Sequence, residues 1–324
     1  MDKINLHDEL IAALYDKIPK RADLVNKVSE ILRIEKEPAY RRLNGKVQFS
    51  VQEMGLLANS LNISLDALLR KEMGYQWIPF ILDSPMQVKS IEILVDFQES
   101  CLIQMRDIMQ GPSEYASVFN SIPLEFYIFH PYLMKFMYFK WGYYFVGTDE
   151  FNDFAHWELP ERFIALKDLT ESIISEMTSV VYIWDDALIW TLVKEIEFFY
   201  KMHVISVEDK DLIKNDLKNQ LTTLEKYIKG VHIPKYTSAN VSFYVSSIST
   251  GVTSWCLSSG SQSISHFKTH FTRSPITNDY DCFVKIKEWI DSLKNISLLL
   301  SRSGQLERRL YFKKQHEIID LVLG

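Results

Sequence analysis

The sequence predicts a mainly α-helical protein: an N-terminal five-helix, helix-turn-helix domain, then a larger α-helical domain with a small antiparallel sheet near the C-terminus. Three observations predict it. Apolar residues recur at helical spacing over most of the chain, as in helices buried on one side. Helix start and stop signals punctuate the N-terminal stretch at short intervals. Strict alternation, the mark of a half-buried strand, begins only near Tyr236. The 324 residues are 47% hydrophobic, 24% charged and 13% aromatic, the balance of a folded chain of two or three domains and not of a disordered one.

The first helix runs from about His7 to Ile18 and is closed by Pro19, which cannot continue it. The second, about Ala22 to Leu32, draws its buried stripe from Val25, Val28, Ile31 and Leu32. The third starts near Lys36. Pro38 is tolerated in its first turn, where amides lack an intrahelical partner, and Asn44-Gly45 stops it. Ser50 and Glu53 form a capping box for the fourth, whose apolar face is Leu56, Leu57 and Leu61. Ser64 to Leu69 is a short fifth. The domain so defined spans residues 1–73, and residues 74–85 form a joint apolar enough to pack against a neighbour.

In residues 86–324, a helix opens at Ser84-Pro85 and closes at Gly111-Pro112. Val88, Ile91, Val95, Gln98, Leu102, Met105 and Met109 give it a heptad face, read as one helix of a bundle with a dimerising coiled coil as the alternative. Helices follow at about Pro160 to Met177, Asp185 to His203 and Val207 to Lys229. A three-stranded meander is expected at about 236–272, from the alternation of Val241, Phe243 and Val245 and of Thr253, Trp255 and Leu257. Two final helices carry Phe283, Ile286, Ile290 and Leu293, then Leu306, Leu310 and Ile318. The aromatic run from Phe126 to Tyr144 reads as packed core, with a ligand pocket as the alternative.

Net charge is -6, unevenly placed. Residues 1–75 hold 12 Lys+Arg against 11 Asp+Glu, a net of +1, so the acidic excess lies in the rest. Affinity for nucleic acid then requires a few focused cations and two copies of the chain, not a broad basic surface. Cys101, Cys256 and Cys282 are sparse, odd in number and far apart, which points to a reducing cytoplasm and no disulfide framework. No secretory signal is visible at the start. The most apolar stretch, Val118 to Gly147, is broken by Glu125, His130, Lys135 and Lys140, so no membrane span is expected.

Residues of about 7–70 resemble the DNA-binding domain of the lambda-repressor/Cro-like, xenobiotic-response-element family of bacterial regulators. The resemblance rests on Tyr40-Arg41-Arg42-Leu43-Asn44-Gly45-Lys46, on Ser50-Val51-Gln52-Glu53, and on Leu57-Ala58-Asn59-Ser60-Leu61-Asn62-Ile63-Ser64. It implies that the helix from Lys36 reads operator DNA as part of a homodimer. Carried onto this chain, it makes Lys36, Glu37, Tyr40 and Arg41 the base-reading candidates and Arg21, Arg42 and Lys46 the phosphate candidates. The C-terminal region would then dimerise and sense a small-molecule or peptide effector. The competing expectation is a protein- or peptide-binding adaptor whose helical domain serves assembly.

Catalytic chemistry finds little support. His266 and His270, an HxxxH pair, fall in an expected strand, where such residues lie about 13 Å apart. Asp185-Asp186 reads as helix capping. Ser258-Ser259-Gly260-Ser261 has neither a nucleophile-elbow context nor a phosphate-loop lysine. No enzyme, metal or cofactor is expected.

Overall fold

Helix caps and two left-handed turns, at Arg33 and Gly45, organise the N-terminal part of the chain. The structure is a computed structural model that describes residues 5–61, 63–69, 90–233, 236, 240–251, 253–267, 276–301 and 304–324. It divides into two units, Met1–Phe80 and Ile81–Gly324. The predicted joint at 74–85 and the Ser84-Pro85 helix start lie outside the described residues.

In the first unit, α1 (Leu6–Lys17), α2 (Arg21–Leu32), α3 (Lys36–Leu43), α4 (Val51–Ser60) and α5 (Leu65–Leu69) surround Leu10, Leu14, Leu24, Val28, Leu43 and Leu57. Asn5 caps α1 by accepting the His7 amide, and Ser50 and Glu53 cap α4 reciprocally. Leu56, expected on the buried face of α4, is exposed; Leu57 and Ala58 are the buried pair. Arg33 ends α2 at φ 53, so that the amides of Arg33 and Ile34 bond back to Glu30 and Ser29. That conformation costs a non-glycine residue about 1 kcal/mol. It turns the chain into α3 within three residues.

The second unit corrects the expected fold class. It is α/β: the described residues of the chain are 61% helical, and among those of this unit is a seven-stranded mixed sheet in place of a small antiparallel one. The strands are β1 (Ser113–Phe119), β2 (Ser179–Asp185), β3 (Asn240–Ser246), β4 (Ser254–Ser259), β5 (Gln262–Phe267), β6 (Ile276–Thr277) and β7 (Leu298–Leu299), in the order β6-β5-β4-β1-β2-β3-β7. β1, β2 and β3 run parallel, in register from Tyr115 through Val180 to Val241. The other pairings are antiparallel. The expected meander is therefore a β4–β5 hairpin set beside β1, while β3 lies on the far side of β2.

Helices α6 (Glu92–Ile108), α7 (Leu124–Tyr127), α8 (Pro131–Phe145), α9 (Glu161–Glu176), α10 (Leu188–Lys201), α11 (Val207–Ile228) and α13 (Gln305–Leu323) share the main core with Tyr115, Tyr182, Trp184, Phe243 and Leu257. Those strand residues occupy one face of the pleat. Helix α12 (Tyr280–Asn295) packs on β1, β4 and β5, and its Lys287 ion-pairs with Glu114, which points to the opposite face. On α13 the buried residues are Arg308, Tyr311, Phe312, Gln315, Ile319 and Leu323, whereas Leu306 and Leu310 face solvent, against expectation.

Most of the aromatic run is core, although Tyr132 and Tyr144 are exposed. Phe126, Phe136 and Phe139 are fully buried, and Phe139 meets Phe151, Phe154 and Trp157 edge-on. All three cysteines are free and buried. Burial pushes the thiols of Cys101 and Cys256 up to about 12 and that of Cys282 to about 11. A thiolate is the reactive species. The native chain should therefore leave all three unmodified by a maleimide over the time in which the urea-unfolded chain reacts at all three, as mass spectrometry will show. Fast labelling of the native chain would contradict the packing described.

Candidate nucleic-acid interface

Ala39 and Leu43 turn inward from α3 and are buried against the rest of the first unit. Burying a leucine side chain is worth about 2 kcal/mol, enough to decide which face of a two-turn helix points out. Lys36, Glu37, Tyr40 and Arg41 then lie together on the exposed side, with Tyr40 39% exposed. Among the described residues, Lys36 and Arg41 have no ion pair. Lys46 is likewise exposed and unpaired, just past the turn where Gly45 sits at φ 70 and the Lys46 amide bonds back to Arg41. That turn is the helix stop expected of Asn44-Gly45.

The other two phosphate candidates are placed differently. Arg21, the first residue of α2, lays its guanidinium 4.8 Å from the Tyr40 ring centroid and donates to Asn44 Oδ1. Asn44 in turn donates to the Tyr40 carbonyl at 2.8 Å, so three side chains from two helices brace one corner of α3. Arg42 points inward. It pairs with Glu53 at 2.9 Å, and both side chains are largely covered. Glu53 also accepts the Ser50 amide at 2.8 Å. Burial raises the pKa of the Glu53 carboxyl, but the Ser50 amide and the Arg42 guanidinium outweigh it and hold the group below the usual carboxylate value. Arg42 is thus a strut between α3 and α4, occupied before any phosphate arrives.

Sequence reading missed this strut and the left-handed Arg33. Arg42 and Glu53 sit on different helices, and only the four-residue offset of Arg42 from Pro38, whose carbonyl it also approaches at 3.4 Å, hinted that it turns inward. Glu30 pairs with Lys27 of its own helix at 3.0 Å.

The second unit closes the place where a parallel sheet usually takes a ligand, the carboxyl ends of its strands. Asp185, at the end of β2, accepts the Ala187 amide at 2.9 Å and the Thr250 amide at 3.0 Å. Asn120, past β1, donates to the Gly251 carbonyl at 2.7 Å and accepts from the Thr253 hydroxyl at 2.9 Å. Asp185 is therefore a tether for the β3–β4 connection, and not the helix cap expected of it; the residue before α10 is Ala187. His266 stacks on Trp255 at 5.0 Å inside the sheet face, and His270 lies outside the described residues. Among the described residues, no group of three or more His, Cys, Asp or Glu side chains is arranged to hold a metal ion. Nor is any helix among them long and apolar enough to cross a membrane.

No protein-family model, curated protein or solved structure matches this chain.

Proposed function

We propose that the protein is a cytoplasmic, sequence-specific DNA-binding transcription regulator that acts as a homodimer. The observation that carries the reading is the outward face of α3, where Lys36, Glu37, Tyr40 and Arg41 stand together while Ala39 and Leu43 anchor the helix. Arginine bridges two acceptors of a guanine edge, and Glu37 accepts from cytosine. Lys46 and the remaining donors of Arg21 serve phosphates, setting register without reading sequence. Arg42 holds α3 on α4. The second unit provides the dimer contact and any effector site.

The test is selection of random duplex DNA by the full-length chain beside a Lys36→Ala/Arg41→Ala variant. Arg42 is kept, because its loss would strand Glu53 and confound folding with binding. The wild type should enrich a two-fold symmetric motif, and the variant should bind it at least about 30-fold more weakly at unchanged Tm. With six to ten phosphates neutralised per dimer, affinity should fall by about 10³ to 10⁵ between about 50 and 200 mM salt. No enrichment by either protein, or a flat salt response, would transfer the domain to the adaptor class.

A further inference from the structure

One buried charge in the second unit has no counter-charge. Arg308, near the start of α13, is 5% exposed and makes no ion pair among the described residues. Its one hydrogen bond there runs from Nη1 to the Leu300 carbonyl at 2.7 Å, and its buried Nε has no acceptor. A guanidinium carries five N–H donors and keeps its charge in proteins. Taking it out of water costs several kcal/mol unless an anion accompanies it. The two carboxylates felt at Tyr311, one turn along the same buried face, are engaged elsewhere. Asp185 accepts from the Ala187 and Thr250 amides, and Asp186 pairs with Lys314 at 2.9 Å.

The backbone around Arg308 adds charge of the same sign. Gly304, which precedes α13, sits so close to the end of β7 that a side chain there would run into the Leu299 carbonyl. That tight turn sets the helix start beside the guanidinium, because Arg308 reaches back toward Leu300, the direction in which helical side chains point. No side chain caps the start, and among the described residues the amides of Gln305, Leu306 and Glu307 find no acceptor. A helix start carries about half a positive charge and disfavours a cation nearby. Glu307, the acid of the first turn, faces solvent. Free amides at a helix start and the open side of a guanidinium both suit an oxyanion.

We propose that Arg308 and the first turn of α13 bind the phosphate group of a small molecule, the guanidinium taking two oxygens and the helix amides a third. A carboxylate has only two oxygens and would leave one set of donors unserved. Arg308 is too enclosed to meet the backbone of a duplex, so the site stands apart from what α3 reads. Inward along the same face of α13, the Tyr311 hydroxyl and both ends of the Gln315 amide are buried without partners. Such groups suit the hydroxyls of a phosphate ester.

Titration calorimetry of the full-length chain with inorganic phosphate, in chloride buffer of matched ionic strength, tests the site. Glycerol phosphate, titrated in parallel, tells a free anion from an ester: whichever binds more tightly names the form of phosphate the site takes. The wild type should bind saturably, and its Tm should rise with phosphate while the same ionic strength of chloride leaves it unchanged. Arg308→Gln should weaken binding at least about 30-fold. Because Arg308 is buried, a surface variant keeps the test open should that chain not fold. Gln305 is exposed in the first turn, three residues before Arg308 and therefore its neighbour on the helix. The carboxylate of Gln305→Glu supplies the missing counter-charge from within the chain. This variant should melt above the wild type without phosphate and gain less from its addition. A wild type indifferent to both ligands overturns the proposal, as does a folded Arg308→Gln or Gln305→Glu chain that responds like the wild type.

Discussion

Gly142→Ala is expected to destabilise the second unit by about 2–3 kcal/mol, although the change improves helix propensity. Gly142 is buried within α8, and a methyl group there would run into the Phe151 ring. That ring cannot swing aside, because Phe151 is itself buried between Phe139 and Trp157, with ring centroids at 5.9 and 5.6 Å. Overpacking of a closed core costs about 1–3 kcal/mol and sometimes more, whereas alanine gains at most about 1 kcal/mol over glycine in a helix. Urea unfolding followed by near-ultraviolet dichroism of these aromatics reads the effect. A Phe151→Leu change in the same chain should restore part of the loss, since the two sites share one volume. A Gly142→Ala chain as stable as the wild type would mean that α8 and the Phe151 segment do not pack as described.

Glu125→Gln is expected to stabilise the same unit, by an amount that grows as pH rises from 4.5 to about 7. The Glu125 carboxyl sits on α7 among the phenols of Tyr115, Tyr182, Tyr227 and Tyr236, with Tyr182 hydrogen-bonded to it. Desolvation pushes its pKa from 4.5 to about 7, more strongly than the backbone and Tyr182 hydrogen bonds pull it back. A carboxyl raised in the folded state gives its stabilisation in full below the unfolded pKa and loses it as pH climbs through the folded value. The loss should therefore begin above pH 4.5 and be complete somewhat above pH 7. A shift of this size corresponds to about 3 kcal/mol at most. Glutamine keeps the shape and a donor but never ionises. Unfolding midpoints of the two chains should nearly coincide below about pH 4.5, diverge in favour of glutamine as pH climbs to about 7, and stay apart above it. Parallel pH profiles would show that Glu125 is solvated in the fold.

Most of the first unit was legible because its helices announce their own ends. Pro19, Asn44-Gly45 and the Ser50/Glu53 box are local signals, and the structure places helix termini at each. The strands β1 and β2 were not legible. Val180-Val181-Tyr182-Ile183-Trp184 is an unbroken apolar run because β2 is covered on both faces, which erases the alternation that betrays a half-exposed strand. β1 follows directly on Gly111-Pro112, which reads as a helix stop whatever comes next. The β4–β5 hairpin, with its turn at Gly260, kept enough alternation to be seen, but its place beside β1 is a long-range fact that no local pattern carries. The interface divides the same way. Exposure of Lys36, Glu37, Tyr40 and Arg41 follows from two apolar residues within the same helix. The ties of Arg42 to Glu53 and of Arg21 to Asn44 join different helices and became visible only once those helices were packed.

The pairing of β1 with β4 has a consequence for how the chain is made. Ser113 lies opposite Ser259, so one edge of β1 waits on the ribosome until most of the second unit has been synthesised. Contacts this distant in sequence form slowly, and an unpaired strand edge in a partly made chain invites pairing with the wrong neighbour. The first unit, whose contacts are local, can fold long before then. Newly made chains should therefore pass through a stage in which α3 is already in place while the sheet of the second unit is still incomplete.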